Sequence, residues 1–142
     1  MSKHKSEPSR YELAQKAYKD GEYETSALIF AELIRANDTN PQYFRQLGNA
    51  QRHLSMFDEA LASYKKAKEL DPSSSKAYSD EGKLYYDIRK YNKAEKQYLE
   101  AIRLNPQERY CGVLMNIYRM MPDLNFRLGK IRDLTKLSLI HI

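Results

Sequence analysis

Similar residues recur every 34 positions over most of the chain, and that period constrains the fold more than any other feature of the sequence. An offset of 34 pairs Gly48 with Gly82, Ala60 with Ala94, Tyr64 with Tyr98, Ala67 with Ala101, Leu70 with Leu104 and Pro72 with Pro106. These identities all fall on small or core-type residues. Extended backwards, the register sets Leu13 and Ala14 against Leu47 and Gly48, Tyr23 against Phe57 and Tyr91, and Phe30 against Tyr64 and Tyr98. A more divergent unit therefore precedes the two clear ones.

Each window predicts two helices. In the second, apolar residues at helical spacing run from Gln42 to Leu54 and from Phe57 to Glu69, and Asp71-Pro72 stops the run. The third window repeats this from Lys76 to Ile88 and from Tyr91 to Arg103, closed by Asn105-Pro106. Proline cannot donate to a continuing helix and biases its predecessor away from helical geometry. Gly48 and Gly82 on the first helix, with Ala60 and Ala94 on the second, remove bulk where two antiparallel helices touch. Tyr64 and Tyr98 are expected to fill the space toward the next repeat's first helix.

These residues resemble the tetratricopeptide repeat family, a helix–turn–helix with large, Leu-Gly, Tyr, Ala, aromatic, Ala and Pro residues at set places. Residues 41–74 show Phe44, Leu47-Gly48, Phe57, Ala60, Tyr64, Ala67 and Pro72; residues 75–108 show Tyr78, Gly82, Tyr85, Tyr91, Ala94, Tyr98, Ala101 and Pro106. The resemblance implies an all-α fold, a right-handed superhelical array of antiparallel helix pairs, with about three repeats (7–40, 41–74, 75–108) plus a C-terminal helix. There are departures: Ser26 stands where Ala is usual, Asp38 where Pro is usual, and Glu81 at the Leu place, where it is expected to tilt to solvent or meet a basic neighbour.

Residues 109–136 align poorly as a fourth window, with Asn116 at the Gly place and Pro122 breaking the helix early. They are expected to form a partial fourth repeat or a capping helix, with Val113, Leu114, Ile117, Tyr118 and Met121 as its apolar side. Residues 1–6 are expected to be a disordered basic tail. Residues 137–142, Leu-Ser-Leu-Ile-His-Ile, look like a translated sequencing adaptor, so the natural protein is expected to continue beyond Lys136.

At 42% apolar and 30% charged residues, the composition is that of a globular chain. No apolar run reaches the roughly 18 residues of a membrane span, and one cysteine cannot build a disulfide framework. The expectation is a soluble, cytoplasmic protein, with the nucleus open. The net charge of +5 divides into +2 for residues 1–10 and +4 for 109–136, leaving −1 for residues 11–108. Basic ends can contact nucleic acid, but solvated Lys and Arg on a tail are the commoner reading, so nucleic acid is disfavoured as a partner.

Catalytic signatures are missing from the sequence. Gly21, Gly48, Gly82, Gly112 and Gly129 never cluster as a phosphate loop requires, and His4, His53, His141 and Cys111 lie apart rather than at metal-ligand spacing. No cofactor, no metal and no enzymatic activity are expected. The alternative is the docking or regulatory repeat region of a larger enzyme, such as a glycosyl- or sulfotransferase, whose catalytic part would follow Lys136.

In the family that the chain resembles, ligands lie along the concave face of the first helices. Carried across in register, that face comprises Tyr11, Glu12, Gln15, Tyr18 and Lys19; Gln42, Arg45, Gln46, Asn49, Arg52 and His53; and Lys76, Ser79, Asp80, Lys83, Tyr86 and Asp87. The side chains expected to hold a protein or peptide segment are Tyr11, Gln15, Gln42, Arg45, Gln46, Asn49, Arg52, His53, Lys76, Asp80, Lys83 and Tyr86. The co-chaperone clamp for heat-shock C-terminal peptides needs Lys and Asn, then Asn, then Lys and Arg on successive first helices. This chain offers Tyr11 and Gln15, Gln46, and Lys76 and Asp80. Starting one repeat later, Arg45 and Asn49 nearly match, but Asp80, Tyr110 and Leu114 do not. On that comparison heat-shock peptides are disfavoured, Asp80 being expected to repel a carboxylate.

Overall fold

The computed structural model describes residues 8–121 and 123–136; the expected basic tail and adaptor segment lie outside them. Among the described residues the structure is all-helical: α1 Arg10–Lys19, α2 Tyr23–Ala36, α3 Pro41–His53, α4 Phe57–Leu70, α5 Ser75–Asp87, α6 Tyr91–Leu104, α7 Glu108–Met120 and α8 Leu124–Lys136. Two compact units divide after Asp71. The expected helix limits of the second and third windows hold to within a residue.

The first helix of each repeat has a side-chain cap. Ser9 and Glu12 form a reciprocal capping box on α1, Asn40 accepts from the Gln42 N–H ahead of Pro41 on α3, and Ser74 accepts from the Ala77 N–H on α5. The second helices start without such caps, and the turns that feed them share one geometry. Gly21, Ser55 and Arg89, 34 residues apart, take left-handed φ of 79°, 60° and 62°. Around them the N–H of Glu22, Met56 and Lys90 donates to the carbonyl five residues back at 2.8, 2.9 and 2.8 Å. This is the Schellman geometry, which satisfies the last carbonyls of the first helix.

In the first unit, α1, α2 and α3 close on Ala14, Ile29 and Phe30, flanked by Tyr11, Leu13, Leu33, Tyr43 and Leu47. Ser26 stands at the usual Ala place because its buried hydroxyl donates to the Ala14 carbonyl at 3.0 Å. The missing Pro at position 38 is replaced by Asn37, whose side-chain oxygen accepts from the Thr39 N–H at 3.2 Å and the Thr39 hydroxyl at 2.8 Å. An Asx turn thus ends α2 where proline would have.

Tyr64 packs within its own repeat. Its ring lies over Gly48 of its own repeat, where an added Cβ would come within 2.6 Å of Cε1, so the aromatic fills the space that the glycine opens. Tyr98 packs the same way on Gly82, and also faces Tyr110 of α7 with ring centres 6.4 Å apart.

The second unit's core joins α6 to the C-terminal segment through Tyr98, Ile102, Tyr110, Cys111, Leu114, Ile117, Tyr118, Met121 and Leu134. The segment folds as two helices, α7 and α8, which fits about three repeats followed by C-terminal helix, and α7 supplies the stripe that covers α6. Cys111 is core packing. Glu81 is buried rather than tilted to solvent; with burial itself, it pushes the Tyr85 hydroxyl above its ordinary pKa. None of the twelve tyrosines is exposed, so each covers core or lines a cleft rather than forming a free platform.

Candidate functional site

In the first unit a cleft of about 190 Å³ opens between α1 and α3, lined by Gln15, Tyr18, Lys19, Arg45, Gln46 and Asn49. Local helical spacing sets each wall. Gln15 and Lys19 stand one turn apart on α1, as do Arg45 and Asn49 on α3. Lys19 and Arg45 bring two cations to the lining and no acid accompanies them, so the cleft suits an anionic or carbonyl-rich ligand.

The side chains behind the cleft hold its amides in place. The Tyr11 hydroxyl accepts from Gln15 Nε2 at 3.0 Å and from Gln46 Nε2 at 2.7 Å, tying α1 to α3. The buried Tyr64 donates its hydroxyl to Asn49 Oδ1 at 2.7 Å, which fixes the orientation of that amide. Arg45 Nη2 donates to Gln42 Oε1 at 2.9 Å, which steers the guanidinium. At the rim, His53 stacks on Tyr23 with centroids 4.2 Å apart, and its Nε2 lies 3.0 Å from the Tyr18 hydroxyl.

Of the expected binding residues, the structure brings Gln15, Arg45, Gln46 and Asn49 into the lining, puts Tyr11 and Gln42 behind it, and ties His53 to Tyr18 at its edge. Arg52 is half-buried on α3 and does not line the cleft. Tyr18 and Lys19, on the expected α1 face but outside the expected binding set, line the cleft too; their signal is the one-turn spacing of Lys19 from Gln15. Lys76, Asp80, Lys83 and Tyr86 belong to α5 of the second unit. Lys76 and Lys83 are exposed, and Tyr86 packs edge-on against Tyr91 at 5.8 Å. The Asp80 side chain is only 8% exposed and stands 3.9 Å from Lys83 Nζ.

Family models of the tetratricopeptide repeat match residues 41–74 and 75–108. Among curated relatives, the Hsp70-Hsp90 organising protein of Plasmodium falciparum is 29% identical over 98 residues, which is 69% of this chain and 39% of that protein. The chain thus spans about two fifths of that relative. Among solved structures, the first TPR of Spaghetti (RPAP3) bound to HSP90 peptide SRMEEVD has a TM-score of 0.65 at 21% identity, over 92% of this chain and 91% of that one. The second TPR domain of human RPAP3 in complex with HSP70 peptide SGPTIEEVD has a TM-score of 0.70 at 24% identity, over 77% and 92%. These two likenesses show the fold.

The same comparisons correct one expectation. Heat-shock C-terminal peptides do not count as disfavoured partners, because the relative is an Hsp70-Hsp90 organising protein and the two neighbours hold an HSP90 and an HSP70 peptide. Fixed register places miss the convergence: Lys19 stands a turn beyond the clamp place held by Gln15, and it shares the cleft lining with Arg45, a clamp place only in the later frame. Asp80 is not the exposed repelling charge expected, since its carboxylate is buried beside Lys83. Through its paired 34-residue matches, its helix pairs and its shared fold, the chain belongs to the tetratricopeptide repeat family.

Proposed function

We propose that the chain is a non-catalytic, cytoplasmic protein-interaction adaptor that holds the acidic C-terminal segment of a chaperone-type partner in the cleft between α1 and α3. The observation that carries this reading is the convergence of Lys19 and Arg45 with three side-chain amides around a cleft whose lining holds no acid. A terminal carboxylate shared by two cations gains charge-assisted hydrogen bonds of about 1.5–3 kcal/mol each. Gln15 and Gln46 then offer donors to the carbonyls of an extended backbone. The class of partner comes from the relatives: the peptides in their structures, SRMEEVD and SGPTIEEVD, carry several carboxylates at one end. The alternative, a docking region of a larger enzyme, uses the same cleft and makes the same prediction for it.

Isothermal titration with the SRMEEVD peptide tests the reading. Lys19→Ala with Arg45→Ala should weaken binding by about tenfold or more, and amidating the peptide's terminus should weaken it similarly. The melt should hardly move, because solvated side chains contribute little to stability. Asn49 is a poor probe, since replacing it removes the acceptor of the Tyr64 hydroxyl and mixes a stability loss into the binding loss. Unchanged affinity in the double variant, or no binding by the parent chain, would overturn the proposal.

A further inference from the structure

The turn between α5 and α6 carries like charges that its helix disfavours. Arg89, Lys90 and Lys93 are exposed, and with Tyr91, Asn92 and Met121 they line a cleft of about 360 Å³. Lys90, Lys93 and Lys96 follow at three-residue spacing from the start of α6, where neighbouring like charges repel and the helix dipole favours acids. The equivalent helices obey that rule, α2 opening on Glu24 and α4 on Asp58 and Glu59, whereas the first turn of α6 has no acid.

Glu95, the acid that could offset the lysines along α6, is turned into the fold. Its Oε2 lies 3.4 Å from Lys130 Nζ of α8, its side chain is 14% exposed, and its carboxylate meets the Tyr118 hydroxyl of α7. Arg89, moreover, occupies a left-handed position that costs a residue with a Cβ and that glycine fills in the first repeat. Charge repulsion and backbone cost thus coincide at the mouth of one cleft.

We infer that this cleft is a second docking site, for an internal acidic segment of a protein partner that needs no free C-terminus. The cations meet its carboxylates, while the half-buried Tyr91 gives apolar surface to an aliphatic side chain between them. A single-stranded nucleic acid would need aromatic faces for its bases, but here Tyr91 packs edge-on against Tyr86 at 5.8 Å and Tyr85 lies beneath Lys93 at 5.7 Å.

The test is fluorescence anisotropy on the full chain with a labelled Asp/Glu-rich dodecapeptide that has one central Leu and is blocked at both ends. Lys90→Glu with Lys93→Glu should weaken binding by about tenfold or more, without loss of helix, because acids suit that helix end. Arg89→Gly should weaken it by about threefold while raising the melting temperature, since glycine adopts positive φ without a Cβ penalty. Lys19→Ala with Arg45→Ala should leave the affinity unchanged, which separates this site from the first cleft. No binding by the parent chain, loss only in the Lys19 and Arg45 variant, or tighter binding of a single-stranded oligonucleotide than of the peptide overturns the inference.

Discussion

Replacing Gly82 by alanine probes the close approach of α5 and α6 on which each repeat depends. A Cβ there would stand 2.6 Å from Cε2 and 2.7 Å from Cδ2 of Tyr98, whereas carbon atoms rest at about 3.5–4.0 Å. Tyr98 is 1% exposed and faces Tyr110, so its ring cannot step aside without disturbing α7. Gly112, inside α7, supplies the internal reference: it is exposed, and a Cβ there meets nothing within 4 Å. Both substitutions gain about 1 kcal/mol of helix propensity, and both restrict the unfolded chain equally. Those contributions cancel in the difference between the variants, leaving the overpacking cost of about 1–3 kcal/mol. Gly112→Ala should therefore stabilise the protein by up to about 1 kcal/mol, and Gly82→Ala should end about 1–3 kcal/mol below it. Urea titrations followed by far-ultraviolet circular dichroism measure both. Gly48→Ala, whose Cβ would meet Tyr64 at 2.6 Å, should behave like Gly82→Ala. Equal stabilisation by Gly82→Ala and Gly112→Ala would refute the reasoning.

Two further outcomes follow from the packing. Ser26→Ala restores the residue of the other repeats, and the Ala14 carbonyl lies within α1 with a helical donor of its own; denaturant titration should show a change under about 1 kcal/mol. Burial, followed by the hydrogen bond and charge of Glu95, pushes the Tyr118 hydroxyl well above its ordinary pKa. Stability tied to that neutral phenol is fully present below the unfolded value of about pH 10 and is lost as pH rises above it. Unfolding midpoints taken on either side of that pH should therefore fall more for the parent chain than for Tyr118→Phe.

The sequence alone determined the repeat architecture because its signals are local. Caps, helical spacing and the proline stops act within a few residues, so helix limits could be read from Pro41 to Leu104. The close approach of the two helices at Gly48 and Gly82 was legible for the same reason, as a recurrence of small residues, whereas the rings of Tyr64 and Tyr98 lying over those glycines were not. Only the tertiary structure decided which partner each tyrosine took, that the C-terminal segment is two helices, and which polar residues meet. Lys19 and Arg45 are 26 positions apart, and their convergence depends on how α1 lies against α3. Charge balance was equally hidden: Asp80 and Glu95 count as surface acids in the sequence, yet burial beside Lys83 and Lys130 withdraws them from the surface. Spacing along a helix names the face a side chain shares, but the field at that face depends on every charge that packing brings near it or takes away.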